Sequence, residues 1–398
     1  MLTHSYYEED PRVRREAEAI AATGRDVDVF ALRRPDDPPT EVLHGVTVRR
    51  LGVQRHQGAG LGTYVREYLA FLVRAGFALT RAHLRRHYGL VQVHTLPDFL
   101  VFAALPLRVA GVPVILDLHE SMPEFFRNRF RGRAGGVGYW LLRVQERAAT
   151  GFASAVMTVN DALGDRLLRL GVPAEKLTVV LNAPSLARFD PARHPDRPFM
   201  ADGTLRLVYA GALSPIYELD VVLEAIARLA RLRPELPVCL DLFGRDFAEV
   251  PLRDRAQELG IADRVAFHGR VPIDAVPAAI AAADVGLAPT RRNDFTDFSL
   301  STKAFEYAAM GRTVVASRLP MVERTFGDDV VTYTPGDPDD LVAALLRIVD
   351  RPEERAARVA RALRRAQDLG WEHESARYLA LVDRLVRPAR ASGRQADV

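Results

Sequence analysis

The sequence predicts an α/β chain built as two Rossmann-like halves in series. Three observations carry this. From Val27 to Leu181, short apolar runs alternate with helix-length amphipathic stretches. A polar, proline-rich stretch, Asn182 to Gly203, interrupts the rhythm. The alternation restarts at Leu205 and closes with three consecutive helix-length segments. Such alternation gives mostly parallel, helix-covered sheets, and 398 residues suffice for two sizeable cores.

In the first half, a helix is expected over Arg12–Thr23 and strands over Val27–Ala31 and Val46–Arg49. Two helices follow, Tyr64–Ala75 and Thr80–His87, then a strand at Leu90–His94 and a helix at Asp98–Val109. The apolar run Val112–Leu116 reads as a buried strand leading into Asp117, Leu118, His119 and Glu120. Helix Trp140–Phe152, strand Ala155–Val159, helix Asp161–Leu170 and strand Leu177–Leu181 complete this half. In the second half, strands are expected at Leu205–Tyr209, Val238–Phe243, Val265–His268, Val285–Leu287 and Thr313–Ala316. Helices separate them at Leu219–Ala230, Pro251–Leu259, Asp274–Ala282 and Thr302–Met310. The closing helices are Asp339–Val349, Glu353–Ala366 and Trp371–Val386. The domain boundaries are therefore placed at 1–183, a linker at 184–203, 204–370, and a terminal helix and frayed tail at 371–398 that packs back toward the first domain.

Composition excludes several classes. One cysteine leaves no disulfide framework or cysteine-rich metal site and fits a reducing compartment. The chain does not open on a basic-then-apolar signal, and its most apolar stretch, Phe99–Leu116, contains Arg108 and two prolines. A cytoplasmic protein is expected. The formal charge of +3 is uneven: Arg49 to Arg147 holds 15 arginines and 6 acids, a local net of +9. The segment FFRNRFRGRAGGVGYW, Phe125–Trp140, alternates arginines with aromatics. It suits an anionic membrane surface, on the inner face of the cell membrane, or a solvated arginine loop. No zinc finger, RNA-binding aromatic signature or arginine–glycine tract points to nucleic acid.

The sharpest chemical segment is SLSTKAFEYAAMGRTVVAS, Ser299–Ser317. Ser301 or Thr302 can cap a helix whose first amides are free for an anion. Lys303, one of two lysines among 54 basic residues, stands in the first turn, where the helix dipole disfavours a cation. Glu306, one turn on, can accept from paired hydroxyls such as a ribose diol. The plainer alternative is a capped surface helix with a Lys303–Glu306 pair. Gly211 ends the strand of VYAGALSP and permits close backbone approach. Arg245 after Gly244, and Arg291 with Arg292, are candidate phosphate partners or solvated charges. In the first half, His119 follows a strand end with Asp98 and Glu120 near the same edge. It can orient a hydroxyl or serve as a buried structural histidine. His94 reads as architectural. No metal spacing, GxxxxGK[ST] or GxGxxG pattern is present.

These motifs together resemble the retaining, nucleotide-sugar-dependent glycosyltransferases of family 4, with their STKxFEY-type donor motif. The resemblance runs from about His4 to Trp371 through VQVHTLPDF, VILDLHESMPE, VVLNAP, VYAGAL, LFG, VAFHGRVP, AAADVGLAP and STKAFEYAAMGRTVVAS, in that order. It implies the GT-B fold, two Rossmann-like domains facing each other across a cleft, with the acceptor side in the first and the donor side in the second. It implies a UDP- or GDP-linked sugar as donor, a glycan or lipid-linked acceptor, and no metal or other cofactor. By resemblance, Glu306 binds the donor ribose, Ser301 and Thr302 offer amides to the diphosphate, and Gly211 lies beneath the phosphates. His119 stands near the transferred sugar. His119 and Lys303 are the catalytic candidates, with Arg245 and Arg291 as further phosphate partners.

The chain departs from the family pattern in three places. Phe298 stands where the first of a glutamate pair is expected, and Asp297 is its neighbour. Ala212 and Tyr217 stand where a phosphate-binding arginine and lysine are expected, so Lys303, Arg245 or Arg291 must supply that charge. Met1 and Leu2 stand for a longer first strand, so either apolar residues precede them or the strand is abbreviated. These departures keep two alternatives open: an inactive transferase-like binding or scaffold protein, and a nucleotide-sugar 2-epimerase of the same fold.

Overall fold

The computed structural model describes residues 1–53, 61–129, 133–195, 197–245 and 248–386. The chain forms two compact units, Met1–Leu181 with Glu374 onward, and Asn182–His373.

In the first unit, α1 (Pro11–Ala22) starts on the Asp10 carboxylate, which accepts from the Arg12 and Val13 amides. It leads to β1 (Val27–Leu32), β2 (Thr40–Leu43) and β3 (Val46–Leu51). β2 was not expected from its sequence. It is an exposed edge strand, antiparallel to β3 through a tight turn whose His44 and Gly45 both have positive φ, 49° and 80°. α2 (Leu61–Arg86) is one helix, not two. Phe71, Ala75 and Leu79 keep its buried face continuous, and Gly76 lets it lie close to the Ala103 carbonyl instead of breaking it. β4 (Val91–His94) follows, then a 3-10 helix over Asp98–Ala104 and a short α3 (Leu105–Val109) in place of the single expected helix. β5 (Val114–Leu118) precedes α4 (Met122–Arg129) and α5 (Arg133–Phe152), with β6 (Ala155–Thr158), α6 (Asp161–Arg169) and β7 (Leu177–Val179) after them. The segment expected as a membrane-facing stretch or a solvated arginine loop is largely two packed helices, with 130–132 outside the described residues. Phe126 of α4 lies where any side chain on Gly138 of α5 would sit.

Leu2 alone bridges Phe30 of β1 and Val93 of β4, both in parallel. It joins the β2–β3–β1 group to β4–β5–β6–β7. The resulting order runs outward on both sides from Leu2, so the direction of strand progression reverses between Leu2 and β4. β4, β5 and β6 are buried along their whole length, as parallel strands covered on both faces must be.

The second unit repeats the plan with β8 (Leu205–Ala210), α7 (Leu219–Leu232), β9 (Val238–Phe243), α8 (Glu249–Glu258), β10 (Val265–Gly269), α9 (Val276–Ala281) and β11 (Val285–Ala288). It continues with α10 (Thr302–Ala309), β12 (Thr313–Ser317), α11 (Pro320–Phe326), β13 (Val331–Tyr333), α12 (Pro338–Asp350) and α13 (Pro352–Asp368). The six strands are parallel in the order β10–β9–β8–β11–β12–β13. This is the doubly wound order, and its switch point lies between β8 and β11.

α14 (Trp371–Leu385) packs on the first unit from Glu374 onward. There the Glu374 carboxylate accepts the Leu181 amide at 2.7 Å, and the buried Tyr378 hydroxyl donates to Gln92 Oε1 at 2.6 Å. Tyr378→Ala should cost about 3–5 kcal/mol by opening a cavity under the sheet. Tyr378→Phe should cost about 1 kcal/mol for the hydrogen bond alone. Urea unfolding of the two variants checks the difference; equal losses would show that α14 does not anchor there by packing.

Candidate functional site

In the first unit, the parallel register sets His94, the last residue of β4, beside Asp117 of β5. His119 follows one residue beyond the end of β5. All three are buried. Asp117 Oδ2 receives His94 Nδ1 at 2.9 Å and His119 Nε2 at 3.1 Å, and the two imidazole rings stack with a 4° interplanar angle. Burial pushes the Asp117 carboxyl up, but the adjacent histidines outweigh it and hold the group well below the usual carboxylate range. His119 is lowered by burial, against the opposing pull of Asp117. An ionised Asp117 only accepts, so the His119 proton lies on Nε2. Its Nδ1 is then a buried lone pair with no hydrogen-bond partner. The group is a neutral imidazole, held from behind and free to accept from a hydroxyl. One ligand atom from each of the three residues lies within 4.8 Å of the others, near enough to hold a metal ion.

Behind the triad, Gln92 Nε2 donates to Glu16 Oε2 at 2.6 Å. Burial, then repulsion from Asp117, drives the Glu16 carboxyl well up. His94 and Asp117 were not assigned this role from sequence. The signal available was the tripeptide Asp117–Leu118–His119 at a strand end, where alternation sets Asp117 and His119 on one side.

Asp98 is also buried, and neither of its oxygens has a hydrogen-bond partner. Burial and the nearby Glu146, partly offset by Arg166, push its pKa up to about 8. Arg166 is itself engaged by Glu124 and Glu146, at 2.7 Å each.

In the second unit, the switch point is built by absent side chains. A Cβ on Gly244 would lie 1.8 Å from the Gly211 carbonyl oxygen, and one on Gly211 would lie 2.3 Å from Lys303 Cε. Lys303 thus passes over Gly211, and its Nζ rests 3.9 Å from the Tyr217 ring centre and 5.3 Å from that of Tyr209. Ser301 caps α10 without a side-chain hydrogen bond, and its buried Oγ is unpartnered. Thr302 opens the helix, and Glu306 lies half-buried one turn on. Arg245 is exposed beyond Gly244.

What positions α10 carries no motif in the sequence. Tyr307 is fully buried; its hydroxyl accepts the Ala210 amide at 3.1 Å, tying α10 to the end of β8. Its ring occupies the space over Gly286 of β11, where a Cβ would approach to 2.1 Å. Arg291, expected as a phosphate partner or a solvated charge, is paired with Asp220. Its Nη2 donates to both Asp220 oxygens at 2.9 and 3.0 Å, and its amide donates to the Ile216 carbonyl at 2.7 Å. It secures the loop carrying Tyr217. Arg292 pairs with Asp297 at 3.0 Å, so the acid beside Phe298 is likewise engaged.

Two family models match the chain: a glycosyl transferase 4-like domain over residues 10–183 and glycosyl transferases group 1 over 204–351. The chain belongs to the GT-B glycosyltransferases. A D-inositol 3-phosphate glycosyltransferase of Thermomonospora curvata is 27% identical over 394 residues, covering 93% of this chain and 87% of that protein. Sucrose-phosphate synthase from Thermosynechococcus elongatus matches 96% of the chain and 98% of its own, with a TM-score of 0.77 at 19% identity. Anabaena HepE, solved in complex with UDP-glucose, gives 0.69 at 17% identity over 96% of this chain and 98% of its own. The GT-B fold implied by the motifs is therefore shown.

Two predictions follow from these contacts. Gly286→Ala should destabilise the second unit by at least about 1–3 kcal/mol, because the methyl group displaces Tyr307. Thermal unfolding checks it, and an unchanged midpoint would remove Tyr307 as the anchor of α10. For Asp98, the unfolded carboxyl titrates near 4, so between about pH 4 and 8 the folded chain holds a proton that the unfolded chain has lost. Its contribution is full below about pH 4 and disappears as pH rises through 8. Asp98→Asn should flatten this fall. Urea midpoints at several pH values between about 5 and 8 measure it, and parallel slopes would mean Asp98 does not hold that proton.

Proposed function

We propose that the protein is a retaining glycosyltransferase that moves a sugar from a nucleotide-sugar donor to a hydroxyl of a glycan, glycolipid or related acceptor. The observation that carries the reading is the placement of Lys303 at the start of α10, across Gly211 and over Tyr217. Tyr217 stands where the resemblance expects a phosphate-binding lysine, and the Lys303 ammonium returns a cation to that place. The first amides of α10 add the positive end of the helix. HepE, with its UDP-glucose complex, supports a UDP-linked donor.

In this reading Ser301 and Thr302 offer backbone N–H groups to the diphosphate, and Gly211 lets it approach the chain closely. Lys303, helped by Arg245, stabilises the charge that grows on the diphosphate as the glycosidic bond breaks. Glu306 accepts from the ribose hydroxyls. His119 Nδ1 accepts from a hydroxyl of the transferred sugar and fixes its orientation, with Asp117 holding the tautomer. The acceptor attacks from the face that the diphosphate leaves, and a leaving phosphate oxygen takes the acceptor proton. The intact Lys303 and Glu306 arrangement favours this over an inactive binding protein.

Binding of a nucleotide-sugar panel by calorimetry, with slow donor hydrolysis as a second readout, tests the reading; no binding to any donor would sink it. Glu306→Ala should weaken nucleotide binding by roughly tenfold or more, about 1.4 kcal/mol. An unchanged affinity would refute its ribose role. Lys303→Ala should weaken the nucleoside diphosphate more than the nucleoside, and adding Tyr217→Lys should recover part of the loss. Equal loss for both ligands would refute the phosphate role.

A further inference from the structure

The described residues of the first unit include a broad exposed apolar surface. Among the described residues, 15 large hydrophobic side chains are exposed, and 11 of them lie on α2, α3 and α5. These elements form one layer: the 3-10 helix at Asp98–Ala104 packs against both α2 and α5, and α3 against α2. On α2, Val65, Leu69, Val73 and Phe77 recur at every fourth residue, and Phe77 is 71% exposed. Val109 of α3 is 80% exposed. On α5, Trp140, 63% exposed, stands beside Leu141 and Val144 on one helical face. Most soluble chains do not leave so many apolar groups together in water.

The charge on this layer has a single sign. The acids of α2, α3 and α5 are Glu67 and Glu146, and both are buried. Arg66, Arg81 and Arg85 of α2 and Arg147 of α5 are exposed, and among the described residues none forms an ion pair with an acid. A second copy of this chain laid on the same face would bring arginines against arginines. An anionic bilayer supplies both missing halves: phosphates for the guanidinium groups and an acyl boundary for the apolar side chains. None of the described helices is long and apolar enough to cross a membrane.

We propose that the α2–α3–α5 face docks this protein on an anionic lipid membrane, with Val73, Phe77 and Trp140 inserted at the headgroup boundary and Arg81, Arg85 and Arg147 on the lipid phosphates. The segment expected from sequence to meet the membrane is thereby moved: the docking surface is a helix layer, and Trp140 is the residue common to both. The inference stands apart from the transferase reading, since docking is measured without any donor.

Vesicle flotation with the full chain tests it. Partition onto vesicles containing about 30 mol % phosphatidylglycerol should exceed that onto pure phosphatidylcholine by roughly tenfold or more at low salt, and should fall as salt rises. Val73→Ser with Phe77→Ser, and separately Arg81→Glu with Arg85→Glu, should each reduce anionic binding at least about fivefold while the circular dichroism stays unchanged. The chain has two tryptophans, and Trp371 is buried, so a blue shift of emission on vesicle addition should come from Trp140 and vanish in Trp140→Phe. No preference for anionic vesicles would overturn the proposal. So would a shift that survives Trp140→Phe, or a dimer in sedimentation that Phe77→Ser dissolves.

Discussion

The first unit depends on one buried negative charge. Asp117 sits fully inside the sheet, where an ionised carboxylate is costly unless it is hydrogen-bonded. Two imidazoles satisfy it, and everything around it follows from that requirement. His94 must come from the neighbouring strand in register, and His119 must follow at the end of the same strand. Burial and repulsion from Asp117 push the Glu16 carboxyl well up, against the pull of Arg15 and the Gln92 hydrogen bond. The same hydrogen bonds that settle the aspartate fix the tautomer of His119 and leave its buried Nδ1 without a partner. Stability and chemistry are set by one contact, so the histidine needs no further partner to be oriented. Through Gln92 the network reaches Tyr378, and through Tyr378 it includes the terminal helix.

The second unit reaches a comparable end by the opposite route. Its switch point is shaped by side chains that are missing. Gly211, Gly244 and Gly286 stand where a methyl group would collide with the Lys303 stem, the Gly211 carbonyl and the Tyr307 ring respectively. Their absence lets two loops touch, lets Lys303 cross Gly211, and lets Tyr307 seat α10 between β8 and β11. The helix start is thus aimed by packing, and its amides are available because no side chain has been spent on capping them. Glu218 shows the same logic one turn away: buried at the start of α7, it accepts from Tyr333 at 2.8 Å and Ser317 at 3.0 Å, and so pins that helix to the ends of β12 and β13.

Much of this was legible in the sequence. The buried parallel strands announce themselves as continuous apolar runs, and the linker by its prolines. What was missed is short, exposed or set by distant contacts. β2 is an edge strand with alternating exposure, and β13 has three residues; neither offers a long pattern. α4 was hidden by a polar arginine-rich composition, and the split in α2 was a false break at a glycine that serves close packing. At the sites, the residues that would touch a ligand were readable as motifs, whereas those that hold them were not. Tyr307, the His94 contact of Asp117 and the Asp220 brace on Arg291 act through neighbours far away in sequence. Their roles appear only once the strands are paired.

The scarcity of lysine acquires a physical meaning at one position. Elsewhere in the chain arginine braces loops and pairs with carboxylates, as Arg291 and Arg166 do, using a planar fork with five donors. At the start of α10 the geometry asks for something else. The side chain must pass over Gly211 at a distance that a Cβ could not share, then place its charge on the Tyr217 ring. A thin methylene stem ending in a compact ammonium meets that need, and the ammonium keeps donors free beyond the ring face. A guanidinium would have to turn its broader plane through the same gap. Lys303 is therefore held by shape on one side and by the ring's electrons on the other. That combination explains why a cation is tolerated in a first helical turn, where the helix dipole opposes it: an anion bound at the amides would reverse the sign of that interaction.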